Sequence, residues 1–161
     1  MEKIEIINIV GDSFPGYYNH SRVACRAIII KDDKILVSYE TKNGRFMLPG
    51  GGLEDNETDI ECIKREIKEE TGYIIKPSSA LFQIDEYYED FKWTNRYFKA
   101  EIIGETTNNL TNLEKEMGLE PRWLPLNDVL KALEEYQNEN IPTQWKGVYL
   151  RESKALKKIL N

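Results

Sequence analysis

Apolar positions recur along this chain in short runs whose period changes several times. Ile4, Ile6 and Ile9 alternate imperfectly across residues 3–10, the period of a strand. Residues 11–21, with Pro15 and Gly16, break the pattern as a loop. The β-branched and apolar runs 23–30 and 34–39, on either side of Lys31-Asp32-Asp33, predict a hairpin, and residues 41–44 turn the chain into 46–48. Ile60, Ile63 and Ile67 then stand at i, i+3 and i+7 as the core stripe of a helix reaching Thr71. Asn56 is its expected N-cap, and Gly72, a residue at home in the left-handed region, its end. Strands at 80–88 and 95–103, a short one at 121–124, a helix near 128–136 and a last helical segment within 145–160 follow, the last interrupted by Gly147 and Val148-Tyr149-Leu150. Strands before and after one central helix, with helices at the end, predict a single α+β domain over residues 1–161 with a mixed sheet covered on both faces.

The polar side of the central helix carries the chemistry. Glu66, Glu69 and Glu70 stand at i, i+3 and i+4, so three carboxylates share one face and repel by about 0.2–0.5 kcal/mol per pair. A surface helix gains nothing from this, whereas a bound cation turns repulsion into coordination, and oxygen ligands suit magnesium or manganese. Arg65 offers a planar fork of donors that can hold a carboxylate such as Glu57 or Glu66. Gly50, Gly51 and Gly52 let the backbone approach a metal or phosphate closely.

The run Gly51, five residues, Glu57, seven residues, Arg65-Glu66-Ile67-Lys68-Glu69-Glu70-Thr71-Gly72-Tyr73 resembles the Nudix hydrolase box G-x5-E-x7-R-E-U-x-E-E-x-G-U, with Tyr73 the one departure, at an aliphatic position. The resemblance implies the α/β/α Nudix sandwich with the box as loop-helix-loop. It also implies that Glu66, Glu69 and Glu70 ligate the metal, that the Gly50 carbonyl joins them, and that Arg65 orients them. A further carboxylate outside the box, Glu116 or Glu120, precedes Trp123 in the manner of family members, with Glu116 preferred. The proline downstream of the box that marks the family's ADP-ribose hydrolases is missing.

A net charge of -6 and a pI near 5.0 exclude a broad duplex-binding surface but not a small phosphorylated ligand neutralised by a metal and one or two basic residues. Arg22 and Arg26 flank an early strand, placed to face phosphate or to pair on the sheet rim. Phe46, Tyr87, Tyr88, Trp93, Tyr97 and Trp123 are candidates for stacking a base. Cys25 and Cys62 fit no metal or redox spacing and read as buried thiols, and His20 has no partner for a zinc site or serine triad. No apolar run approaches a membrane span, and the start Met1-Glu2-Lys3-Ile4-Glu5 lacks a signal peptide's basic and apolar regions, so the chain reads as cytoplasmic. Monomer and homodimer both stay open.

The leading expectation is a magnesium- or manganese-dependent hydrolase of a nucleoside diphosphate linked to another group X. The first rival is a Nudix domain that senses a ligand without turnover. A prenyl diphosphate isomerase ranks last, because Cys25 lies in an apolar run unsuited to a reactive thiolate.

Overall fold

The computed structural model describes residues 3–138 and 140–161. Met1 and Glu2, the first residues of the N-terminal stretch read above, lie outside the described residues. In chain order the elements are β1 (Glu5–Val10), β2 (His20–Ile28), β3 (Ile30–Lys31), β4 (Lys34–Glu40), β5 (Arg45–Met47), β6 (Gly50–Gly52) and α1 (Asp59–Thr71). They continue with β7 (Tyr73–Pro77), β8 (Phe82–Tyr88), β9 (Phe91–Glu105), α2 (Asn112–Glu116), β10 (Leu119–Pro125) and α3 (Leu126–Leu133). A 3-10 turn (Glu134–Gln137) and α4 (Thr143–Leu160) close the chain.

The class is α+β, and the contacts group into two compact units. Of the described residues, the first comprises 3–28 and 49–109. Its six-stranded mixed sheet has the order β1-β8-β9-β2-β6, with β7 paired to β9. The β1/β8 and β2/β9 pairs are parallel and the others antiparallel. Helix α1 packs on β2, β6 and β7 through Cys62, Ile63 and Ile67, all fully buried. Arg96 of β9 grips Asp59 at the helix start through one nitrogen, at 2.8 and 3.0 Å.

The second unit comprises, of the described residues, 29–48, 110–138 and 140–161. Its small antiparallel sheet has the order β10-β4-β3, with β5 also on β4. The two-residue turn between β3 and β4 holds Asp32 and Asp33 at φ 51 and 62, the twist that a tight hairpin needs. Phe46 packs against Tyr149 of α4 at 5.5 Å between ring centroids, and the buried Glu152 carboxylate accepts from the Leu48 amide at 3.1 Å.

Several expectations change. Most of the run 23–30 is not the hairpin partner of 34–39: its residues 23–28 belong to β2, which pairs with β9 and β6, and only Ile30, in the two-residue β3, pairs across the turn with β4. The N-cap of α1 is Thr58, whose hydroxyl accepts from the Glu61 amide at 3.2 Å, while Asn56 sits at φ 65 in the preceding turn. Ile60 is exposed, and Cys62 takes its place in the stripe. Helix α4 runs unbroken through Gly147, because buried Trp145, Tyr149, Ala155 and Leu156 outweigh the roughly 1 kcal/mol that a helical glycine costs. Both cysteines are buried free thiols.

Candidate active site

Local chemistry sets the site in the first unit. Strand β6 is three glycines in register with β2, Gly52 opposite Ala24, Gly51 opposite Cys25 and Gly50 opposite Arg26. Gly50 has φ 152, and a Cβ there would strike the Cys25 carbonyl. A Cβ at Gly51 would run into the Glu66 carboxylate, so glycine is what lets α1 bring that side chain against the strand.

Arg65 is the hub of the helix's acidic face. Its Nε and Nη2 donate to the two oxygens of Glu57 at 2.6 and 3.0 Å, a bidentate fork. Its Nη1 donates to Glu66 at 2.8 Å and to Glu69 at 3.2 Å, and Nη2 also donates to the Gly52 carbonyl at 2.9 Å. Glu54, which the sequence did not suggest, stands 3.6 Å away. One guanidinium thus offsets the crowding, and it grips Glu66 and Glu69 through one oxygen each. The Arg65 hydrogen bonds hold the Glu57 carboxyl at about 2, well below its ordinary 4.5, and the same bonds raise Arg65 further above its own ordinary value. Glu70 faces the strand instead. It is buried, and its Oε2 accepts from the Gly50 amide at 2.9 Å.

Because the folded-state value of Glu57 is depressed, its stabilisation is fully present above about pH 4.5 and is lost as pH falls toward about 2. Glu57→Gln, which sets an amide NH2 against the arginine fork, should therefore lower the melting temperature at pH 6. The gap to the parent should close between about pH 4.5 and 2. A gap that stayed constant through that window would show that the Arg65 fork is not what Glu57 supplies.

The other candidates fall as follows. Arg26 is half-buried and donates to Asn95 Oδ1 at 3.2 Å. Phe46 is core of the second unit, and Tyr97 is core of the first, stacked on Phe82. Glu116 ends α2 in the second unit, exposed, and Glu120 of β10 pairs with Arg122 at 2.7 Å. Among the described residues no group of three or more His, Cys, Asp or Glu side chains is drawn together to hold a metal ion. The donors themselves, carboxylates on one helix face and carbonyls of one glycine strand, are the hard oxygen set that suits a divalent ion.

The NUDIX domain model matches residues 20–145. An ADP-ribose pyrophosphatase of Methanocaldococcus jannaschii is 51% identical over 67 residues, a stretch covering 40% of this chain and 40% of that protein. An 8-oxo-dGDP phosphatase of Mus musculus is 28% identical over 106 residues, covering 64% of this chain and 32% of that protein. The matches thus span well under half of either relative. Among solved structures, a NUDIX hydrolase from Nitrosomonas europaea superposes with a TM-score of 0.59 at 21% identity, over 81% of this chain and 89% of that one. That likeness supports the Nudix α/β/α sandwich as the fold.

Proposed function

The chain belongs to the Nudix family, and from that membership we propose that it is a divalent-metal-dependent hydrolase cleaving a pyrophosphate bond in a nucleoside diphosphate linked to another moiety X. One observation carries the reading: Arg65 gathers Glu57, Glu66 and Glu69 beside a glycine strand whose Gly50 amide is held by Glu70. Residues 1–161 act as one Nudix hydrolase domain in this reading, since the family match takes in segments of both units.

Glu66, Glu69, Glu70 and the Gly50 carbonyl, all in the first unit, would hold magnesium or manganese. Such an ion, when bound, neutralises phosphate charge, makes a water nucleophilic and stabilises the leaving group. The protein's own residues prepare for that. Arg65 cannot titrate and keeps Glu66 and Glu69 in fixed rotamers; Glu57 and the Gly52 carbonyl in turn fix Arg65. Glu70 holds Gly50 so that the strand's carbonyls keep their direction. Arg26, fixed by Asn95, supplies positive charge for substrate on the strand paired with β6. Names of relatives point to nucleoside diphosphate compounds, one to ADP-ribose and one to 8-oxo-dGDP. No helix among the described residues is long and apolar enough to cross a membrane, and a cytoplasmic location is part of the proposal.

A second reading, a ligand sensor without turnover, draws on the pairing of Glu57, Glu66 and Glu69 with Arg65. Assaying nucleoside triphosphates, nucleotide sugars, dinucleoside polyphosphates and ADP-ribose with magnesium or manganese separates the two. Phosphate or nucleotide release that disappears in excess chelator is expected; full turnover without metal overturns the reading, and binding with no turnover on any substrate favours the sensor. Divalent metal should also raise the melting temperature, since an ion at a hundredfold excess over its Kd stabilises the native state by about 2.7 kcal/mol.

A further inference from the structure

On the sheet of the first unit, the face opposite α1 carries a trench that the metal chemistry does not use. Side chains alternate along each strand, so the residues in register with Gly52 and Ala24 share that face. Gly52 and Ala24 are neighbours in the ladder and project almost nothing, leaving a half-buried floor that ends against the buried Asn95 of β9. One wall is Arg22 and Trp93, which pair in register; the other is Arg26, which pairs with Tyr97. Asn95 is locked at the end of the floor, its amide nitrogen donating to Glu86 at 3.0 Å and its oxygen accepting from Arg26.

Two features show that the trench suits a ligand. The Arg22 guanidinium lies so close over Gly52 that a Cβ there would strike it, yet Arg22 is exposed and pairs with no carboxylate among the described residues. A cation held against the glycine strand of the acidic site without a counter-charge suits a phosphate or ribose oxygen. Trp93 stands beside it at the end of a run of parallel rings, stacked on Phe91 at 4.5 Å, with Phe91 stacked on His20 at 5.2 Å. A partly exposed indole next to an arginine that no carboxylate holds suits a nucleobase, whose π-face stacks whatever its edge.

We propose that this trench is the nucleoside subsite, with Arg22 on the phosphate nearest the nucleoside and Trp93 stacked on the base. The inference rests on the hydrolase reading for its substrate class, but its test does not use turnover. Calorimetry would compare α,β-methylene-ADP, which carries a nucleoside and resists hydrolysis, with methylenediphosphonate, which lacks one, at fixed manganese. The parent should bind the nucleotide analogue more tightly. Trp93→Ala should lose on the order of tenfold of that difference and Trp93→Phe should keep most of it. Arg22→Ala, at an exposed position, should weaken the nucleotide analogue with the melting temperature unchanged. Equal binding of the two probes by the parent, or parent-like nucleotide binding by Arg22→Ala and Trp93→Ala, overturns the subsite even if the enzyme turns over. Trp93-dependent binding without hydrolysis of any substrate leaves the subsite standing and removes the hydrolase reading.

Discussion

Glu70→Gln is expected to lower turnover about a hundredfold or more while leaving a folded protein. The change keeps the size and a hydrogen-bond acceptor for the Gly50 amide but removes a charge from the carboxylate that stands against the glycine strand. Losing one preorganised electrostatic stabiliser costs about 3–4 kcal/mol of transition-state stabilisation, which sets the hundredfold figure. The helix spacing alone predicts that the metal-free protein holds its stability or gains some, because a repulsive neighbour of Glu66 is gone. The structure reverses that sign. Arg65 already offsets the crowding, and Glu70 is buried with a charge-assisted bond that a neutral amide replaces by a weaker one. The metal-free melting temperature should therefore fall by a few degrees at most, and the rise on adding manganese should shrink. Glu57→Gln serves as the comparison, since Glu57 touches Arg65 rather than the strand, and should cost less turnover than Glu70→Gln. Near-normal turnover in Glu70→Gln with the manganese-induced rise intact would remove Glu70 from the metal site.

What the sequence discloses of this site is what is local to one helix. The i, i+3, i+4 spacing of Glu66, Glu69 and Glu70 and the Arg65 to Glu57 pairing follow from helix geometry and charge, and the structure has both on one element and its entry loop. The N-cap is equally local: Thr58 with Glu61 three residues on is a stronger signal than Asn56, and Thr111 with Glu114 marks α2, a helix too short to show in the hydrophobic pattern. Strand partners are another matter. Nothing in 23–28 discloses that it leaves the 34–39 run to residues 119–125 and a two-residue β3 and pairs instead with residues 50–52 and 94–99, because pairing at such separation is decided by burial of both faces. The trench of Gly52, Ala24, Trp93 and Arg22 exists only through that pairing. The aromatics divide the same way: Phe46, Tyr97 and Trp93 look alike in sequence, and only packing makes two of them core and one half-exposed.

Arg65→Ala should be the most destabilising single change in the site. It strips the counter-charge from Glu57, whose side chain is only 11% exposed, and restores the repulsion among Glu66, Glu69 and Glu57. Breaking a buried pair costs about 3–5 kcal/mol, and with Arg65 itself 22% exposed the low end of that range applies. For a chain of this size that is a fall of roughly 6–12 °C in the melting temperature. Arg65→Lys should recover only part of it, since an ammonium restores the charge but cannot span both oxygens of Glu57 and also reach Glu66. The response to metal then tests whether structure and chemistry share one set of carboxylates. If Glu66 and Glu69 meet the ion, saturating manganese replaces some of the missing positive charge, and the gap in melting temperature between Arg65→Ala and the parent narrows. Turnover at saturating manganese stays low even so, because the ligands have lost the fork that fixed their rotamers. A gap of equal size with and without manganese would mean that the carboxylates held by Arg65 are not those that hold the ion, and would move the metal site away from this face of α1.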